Sequence, residues 1–238
     1  MTLKTLRSIL CLEIAGSERL VFFTFAITSD RFTYPMSIFN PYAQIDRVEY
    51  KIVVALERLS EAFRVLLWEK GKALGLSPIQ IQLLLFIRFH PQERCKVTLL
   101  AQEFNLTPST VSEALRTLEQ KGLLLRKTDS ADTRSHTLAL TEDGVAVAAQ
   151  VADFADVMLP GLTRLSETER AGLLEQLLGL IAHLQHAGVI VPQRMCFACT
   201  YYRKTDSGHF CHFIKKHLEV RDLRVDCPEH VPRKPHGD

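Results

Sequence analysis

Between Gln44 and Ala73 the apolar residues Ile45, Val48, Ile52, Ala55, Leu56, Leu59, Phe63, Leu66 and Leu67 recur at intervals of three and four. That spacing predicts one long amphipathic helix. Gly75 is placed to end it, and Ser77-Pro78 suit the cap and first residue of a second helix, IQIQLLLFIRF. This helix is apolar nearly all round, so it is expected to be buried, and Pro91 stops it. Thr98 is expected to cap a short helix, LLAQEF. Asn105-Leu106 makes a tight turn, and Thr107-Pro108 caps and opens STVSEALRTLEQK, which Gly122 closes. Two short helices joined so briefly predict a helix-turn-helix. After Gly122, LLLRK and HTLAL are expected to be strands around the polar loop TDSADTRS, a β-hairpin wing. Thr141 caps the next helix, which is expected to run on through VAVAAQVADFADVML to Pro160-Gly161. Ser166 and Glu169 form a capping box for the last helix, ERAGLLEQLLGLIAHLQHA, which Gly188 closes.

The fold class expected is therefore mainly α with a small β-wing: a winged helix-turn-helix domain, a helical dimerisation region and a small metal-binding tail. Residues 1–43 read as an N-terminal extension without sustained period, β-rich only from Val21 to Thr28. Met36 stands just before the patterned sequence, and two readings follow: translation from that residue, or a disordered or loosely packed arm before it. Residues 44–188 hold the winged domain and its flanking helices, with a DNA-binding core at 77–144. Residues 189–238 are rich in Cys, His, aromatic and basic residues, with little helical period.

Composition adds little to this picture. The chain is 238 residues long, 47% hydrophobic and 24% charged, with a net charge of +2, so attraction to nucleic acid has to come from local basic patches. No apolar run reaches the roughly 20 residues of a bilayer span, and a cytoplasmic protein without a membrane partner is expected.

Within STVSEALRTLEQK, Val111, Ala114, Leu115 and Leu118 share one face and are expected to pack on the core. The opposite face presents Ser109, Ser112, Glu113, Arg116 and Thr117, with Thr110 and Gln120 at its borders and Thr107 at the cap. Hydroxyls and free amides at a helix start suit phosphate oxygens and base edges. Arg116 is placed to read guanine or anchor to phosphate. Alone, such a face is the solvated side of an ordinary helix; the wing behind it points to double-stranded DNA. In the wing, Arg126 and Lys127 lie at the base, and Arg134 sits near the tip with Asp132 two residues earlier. An arginine on a projecting ribbon can enter a narrow minor groove, and Asp132 can hold its guanidinium in a reaching geometry.

These motifs resemble the core of MarR-type regulators: Leu100-Ala101, Ser109 to Ser112, Lys121-Gly122-Leu123, Asp132 with Arg134, and Leu140-Thr141 with Gly144, in order and at the right spacing. A weaker likeness extends over residues 44–187. The resemblance implies a non-enzymatic transcription regulator. It also implies a homodimer joined through its first and last two helices, and a small aromatic or phenolic effector. Two recognition helices about a two-fold axis would read a near-palindrome with half-sites about 34 Å apart.

The cysteine-rich end departs from that family. Four of the six cysteines fall there, as Cys196-x2-Cys199, Cys211 and Cys227-Pro228. A C-x-x-C pair sets two thiolates on one side of a tight turn, and two further cysteines complete a tetrahedron. His209, His212 and His217 are alternative ligands. Zinc, an iron–sulfur cluster, or thiols that stay reduced or pair as disulfides are the three readings. Cys95, alone before the helix-turn-helix, is expected to be inert. A four-cysteine site leaves no open position for an activated water, and no nucleophile elbow, P-loop or dinucleotide fingerprint is present, so an enzyme is not expected. The competing function is a winged module that binds protein partners only, with a structural zinc tail.

Overall fold

A computed structural model of the chain describes residues 37–128, 136–206 and 208–233. The chain divides into two compact units, Met1–Val54 and Ala55–Asp238. In the described part of the first, turns closed by Asn40 N–H to the Ser37 carbonyl (3.0 Å) and Ala43 N–H to the Asn40 carbonyl (3.0 Å) lead into a helix. The Val21–Thr28 patch and Met36, like the rest of the chain before residue 37, lie outside the described residues.

Helix α1 spans Val48–Lys72 and buries only Leu67 and Gly71 near its C-terminal end. Gly71 is required there, because a β-carbon would stand 2.2 Å from the Leu76 carbonyl oxygen. Helix α2 (Pro78–Phe89) starts where the Gln80 side chain accepts from the Ser77 N–H at 2.9 Å. Its Ile81, Leu83 and Leu84 are fully buried, as its all-round apolar sequence demands. Helices α3 (Val97–Glu103) and α4 (Pro108–Gln120) follow, then strands β1 (Leu124–Thr128) and β2 (His136–Leu140), paired antiparallel from Leu124–Leu140 to Thr128–His136. Helices α5 (Glu142–Val151), α6 (Leu159–Thr163) and α7 (Glu167–His186) complete the helical part. One core joins Leu84, Leu100, Val111, Leu115, Leu118, Leu124, Leu138 and Val151 from α2, α3, α4, the hairpin and α5.

Two expectations about helix limits are corrected. Thr98 is not a cap: the Leu100 N–H bonds the Lys96 carbonyl at 2.9 Å, so the helix begins at Val97, whose side chain packs on the core, and Thr98 is left exposed inside it. Nor does one helix run from Thr141 to Pro160. After Val151 the backbone tightens into i to i+3 bonds, Phe154 N–H to the Val151 carbonyl (3.2 Å) and Asp156 N–H to the Asp153 carbonyl (3.0 Å). Asp153 is drawn to Lys70 at 2.7 Å, and Pro160, which has no N–H to continue the ladder, opens α6 instead.

The cysteine-rich end is more ordered than its lack of helical period suggested. It forms a three-stranded antiparallel sheet, β3 (Tyr202–Thr205), β4 (Gly208–Cys211) and β5 (Lys216–Leu218), in the order β3-β4-β5. Strands this short leave too few residues for a period of two to be visible. A second core of Met195, Ala198, Cys199, Tyr202 and Leu223 seats this sheet module on Leu178 of α7, with Leu174 and Ile181 beside it.

Candidate nucleic-acid interface

The turn between α3 and α4 is made by Asn105, the residue type best suited after glycine to its left-handed φ of 53°. The Leu106 N–H returns to the Ala101 carbonyl at 2.9 Å and closes α3. Thr107 then caps α4: its Oγ1 accepts from the Thr110 N–H at 3.2 Å and lies 2.8 Å from the hydroxyls of both Ser109 and Thr110. Three exposed hydroxyls are thus clustered at the start of the helix. Val111, Ala114, Leu115 and Leu118 are buried, which forces Ser109, Glu113 and Arg116 outward, with Ser112 and Thr117 half-buried at the border. Thr117 turns its hydroxyl back to the Glu113 carbonyl at 3.2 Å. Among the described residues no ion pair engages Arg116.

Gly122, at φ 71°, lets the chain leave α4 sharply, its own N–H on the Glu119 carbonyl (2.9 Å) and that of Leu123 on the Leu118 carbonyl (3.0 Å). Thr141 explains its place after the wing: its Oγ1 donates to the Gly122 carbonyl at 2.7 Å and accepts from the Gly144 N–H at 2.9 Å. One hydroxyl therefore fastens the end of α4 to the start of α5. Gly144 is needed because a β-carbon would lie 2.0 Å from the Leu123 carbonyl oxygen.

In the wing, Arg126 is engaged: its Nε donates to Glu119 Oε1 at 2.7 Å, which braces β1 against α4. The backbone of Lys127 pairs with Thr137, while its side chain, and all of Asp132 and Arg134, lie outside the described residues.

At the far end of the chain, Cys196, Cys199, Cys211 and Cys227 line one cavity of about 430 Å³ whose other walls include Tyr201, Phe213, Leu218 and Leu223. All four carry free thiols. Cys196 and Cys199 flank a single tight turn, the Cys199 N–H on the Cys196 carbonyl at 3.0 Å. Cys211 ends β4, between Tyr202 and Lys216. Cys227 donates its N–H to the Arg194 carbonyl at 2.7 Å. Burial raises the Cys196 thiol above its ordinary pKa; the Arg224 N–H opposes this, and Cys227, Cys199 and Cys211 add to it. Among the described residues no three His, Cys, Asp or Glu side chains are gathered tightly enough to hold a single ion. The three histidines named as alternative ligands are used elsewhere. His209 is buried with Nδ1 2.7 Å from the Tyr202 hydroxyl, and His212 and His217 pack edge-on against Phe210. Cys95 is buried, its thiol pushed up to about 11 by burial and by Glu93.

Sequence reasoning missed how the cysteine module grips the helix-turn-helix. Arg194, only 6% exposed, places Nη2 2.6 Å from Asp226 Oδ1 and Nε 3.8 Å from Glu103 Oε2 on α3, charge contacts without the alignment of a hydrogen bond. Its guanidinium also stands over the Phe86 ring of α2 at 5.5 Å. Asp226 reaches His90 at 2.6 Å, and that ring stacks on Phe86. The partners are 136 residues apart in sequence, so no local pattern announces them.

A buried three-helix core with one helix turned outward, followed at once by an antiparallel hairpin, defines the winged helix-turn-helix class. Residues 74–135 match the family model described as MarR family. A structure of Staphylococcus aureus MepR in complex with DNA is similar at 26% identity and a TM-score of 0.50, over 56% of this chain and 97% of MepR. MepR in its DNA-binding conformation is similar at 26% identity and a TM-score of 0.51, over 56% and 98%. The transcriptional regulator SlyA shares the fold at 20% identity and a TM-score of 0.51, over 57% and 95%.

Proposed function

We propose that the chain is a DNA-binding transcription regulator that acts as a homodimer on a near-palindromic operator, its affinity modulated through the cysteine module. The observation that carries this reading is α4. Its inner face is fully buried, and its outer face offers Ser109, Thr110, Glu113 and Arg116 beside a hairpin. MepR, similar in fold and at 26% identity, has been seen on DNA. Ser109, Thr110 and the first amides of α4 take phosphate oxygens, Arg116 a base edge or phosphate, and Arg134 the minor groove. Arg126, held by Glu119, positions the wing rather than reaching the duplex.

Dimerisation is supported by apolar side chains left in solvent on α1 (Leu59, Val65, Trp68) and along α6 and α7 (Leu159, Leu162, Leu173, Leu177, Leu180). Modulation is supported by the contacts of Arg194 and Asp226, neighbours in sequence of Cys196 and Cys227, with α2 and α3.

The test is selection of sites from random duplex DNA, followed by fluorescence anisotropy at several salt concentrations. A selected near-palindrome is expected, bound with a steep inverse dependence on salt. Arg134→Ala should weaken binding to all sites, and Arg116→Ala should also change base preference. No enrichment, or binding indifferent to both substitutions, would overturn the proposal in favour of a module that binds protein alone.

A further inference from the structure

We propose that the cavity of the cysteine module binds an iron–sulfur cluster through Cys196, Cys199, Cys211 and Cys227. The four cysteines come from three separate parts of the fold: the turn at residues 196–199, the end of β4, and the loop after Leu223. Folding brings all of them to the wall of one cavity. Such convergence of thiols is what a bound metal centre needs and what packing alone does not require.

The size of the cavity separates the candidates. Zinc holds sulfur at about 2.3 Å in a tetrahedron, so four zinc thiolates sit about 3.8 Å from one another and leave no void between them. Here the cavity whose wall includes all four cysteines encloses about 430 Å³, room for a multi-atom core and more than one ion fills. A cluster separates its cysteine sulfurs by the width of its own iron and sulfide core, so thiols arrayed around a cavity are the fitting geometry.

The walls agree. Tyr201, Phe213, Leu218 and Leu223 make much of the wall apolar, and Lys216, Arg221 and Arg224 outnumber Asp222 and Glu229 on it, a positive balance suited to the anionic assembly that four thiolates and inorganic sulfide make. The Arg224 N–H points at the Cys196 Sγ from 3.2 Å, the kind of backbone donor that stabilises a cluster thiolate. His209, His212 and His217 are turned to Tyr202 and Phe210, and no histidine lines the cavity, which leaves an all-cysteine ligand set.

The test is metal and sulfide analysis of the full chain, made in cells supplied with iron and cysteine and purified without oxygen. Iron and acid-labile sulfide are expected in equal amounts, about two or about four of each per chain, with a broad visible absorption from sulfur-to-iron charge transfer. Serine at Cys196, Cys199, Cys211 or Cys227 should abolish that absorption. Cys95→Ser and His212→Asn, which leave the ligand set intact, should keep it. One zinc per chain without sulfide, a metal-free chain, disulfide-linked cysteines, or loss of the absorption in His212→Asn would each overturn the proposal. These readouts do not involve DNA, so they stand or fall apart from the regulator reading.

Discussion

Gly144→Ala should destabilise the protein, against the ordinary rule that alanine improves a helix. In an open helical position the change gains about 1 kcal/mol. At residue 144 the new β-carbon would meet the Leu123 carbonyl oxygen at 2.0 Å and its carbon at 2.9 Å, with Leu140 Cβ at 3.3 Å. The first two are backbone atoms and cannot rotate away. α5 and the segment joining α4 to β1 must therefore separate by about 1 Å, toward the usual contact distance of about 3.5 Å. That movement weakens the Thr141 N–H to Leu123 carbonyl bond (3.2 Å) and strains the Thr141 hydroxyl bridge between Gly122 and Gly144. Overpacking costs about 1–3 kcal/mol and each lost hydrogen bond about 1 kcal/mol. Set against the propensity gain, the net loss is about 2–4 kcal/mol, a fall in Tm of about 4–15 °C for a chain of this size. Urea denaturation followed by circular dichroism measures it. DNA affinity should also fall under conditions where the variant is folded, because the same seam sets the angle between α4 and the hairpin. A variant as stable as the parent, or more so, would refute the reasoning: helix propensity would have outweighed the contact.

The grip of the cysteine module on α2 and α3 is testable with a double-mutant cycle of Arg194→Met and Asp226→Asn. Coupling of about 1–3 kcal/mol is expected for a charge contact this buried on one side, and coupling below about 0.3 kcal/mol would mean the pair is incidental. Burial lowers the pKa of His230, with Arg194 and Arg94 lowering it further against the Ala198 backbone. The folded protein thus resists a proton that the unfolded chain accepts near pH 6.5, so this contribution is full above that pH and is lost as pH falls through it toward the lower folded value. Urea midpoints should drop from pH 7.5 to pH 5.5 or so, and less steeply in His230→Gln; equal slopes would discard the assignment. Leu173→Glu, placing a charge on the exposed apolar side of α7, should convert a dimer to monomer in light scattering and lower operator affinity at least about tenfold. An unchanged dimer would exclude that face.

The helical part was legible because its signals are local. Thr107, Thr141 and the Ser166–Glu169 box each cap the helix they were expected to cap, and the apolar positions of α4 are the buried ones. Thr98 misled because a threonine before an apolar run looks like a cap wherever it stands; the start was decided by Val97 finding the core. The expected single helix after Thr141 gives way to i to i+3 bonds after Val151, and Pro160, which has no N–H to continue the ladder, opens α6 instead. At the interface, Arg126 was legible as a basic residue at the base of the wing but not as the partner of Glu119, seven residues away across a turn. In the cysteine module the four cysteines and the tight turn between Cys196 and Cys199 could be read directly. The sheet, the cavity and the Arg194–Asp226 contact could not, since each depends on residues that meet only in the fold.

The apolar surface of the helical part admits two readings, and packing decides between them. The helical stretch Glu142–Thr163 is long and apolar enough by composition to cross a bilayer. Yet its Gly144, Ala148 and Val151 are buried in the core of the winged domain, and Thr141 fastens its first turn to Gly122. Insertion would strip that core and draw Asp153 and Asp156 into hydrocarbon, at about 2.5–3.5 kcal/mol for each near the centre of the bilayer. What remains outward is Val157, Leu159 and Leu162, followed on α7 by Leu173, Leu177 and Leu180 at helical spacing. Patches of this kind, each on a rigid helix and none continuous round it, suit burial against a second protein surface. In the proposed homodimer a second copy of the chain about a two-fold axis would supply that surface, each contact occurring twice. It would also fix the separation of the two α4 helices, the one distance that a palindromic site has to match.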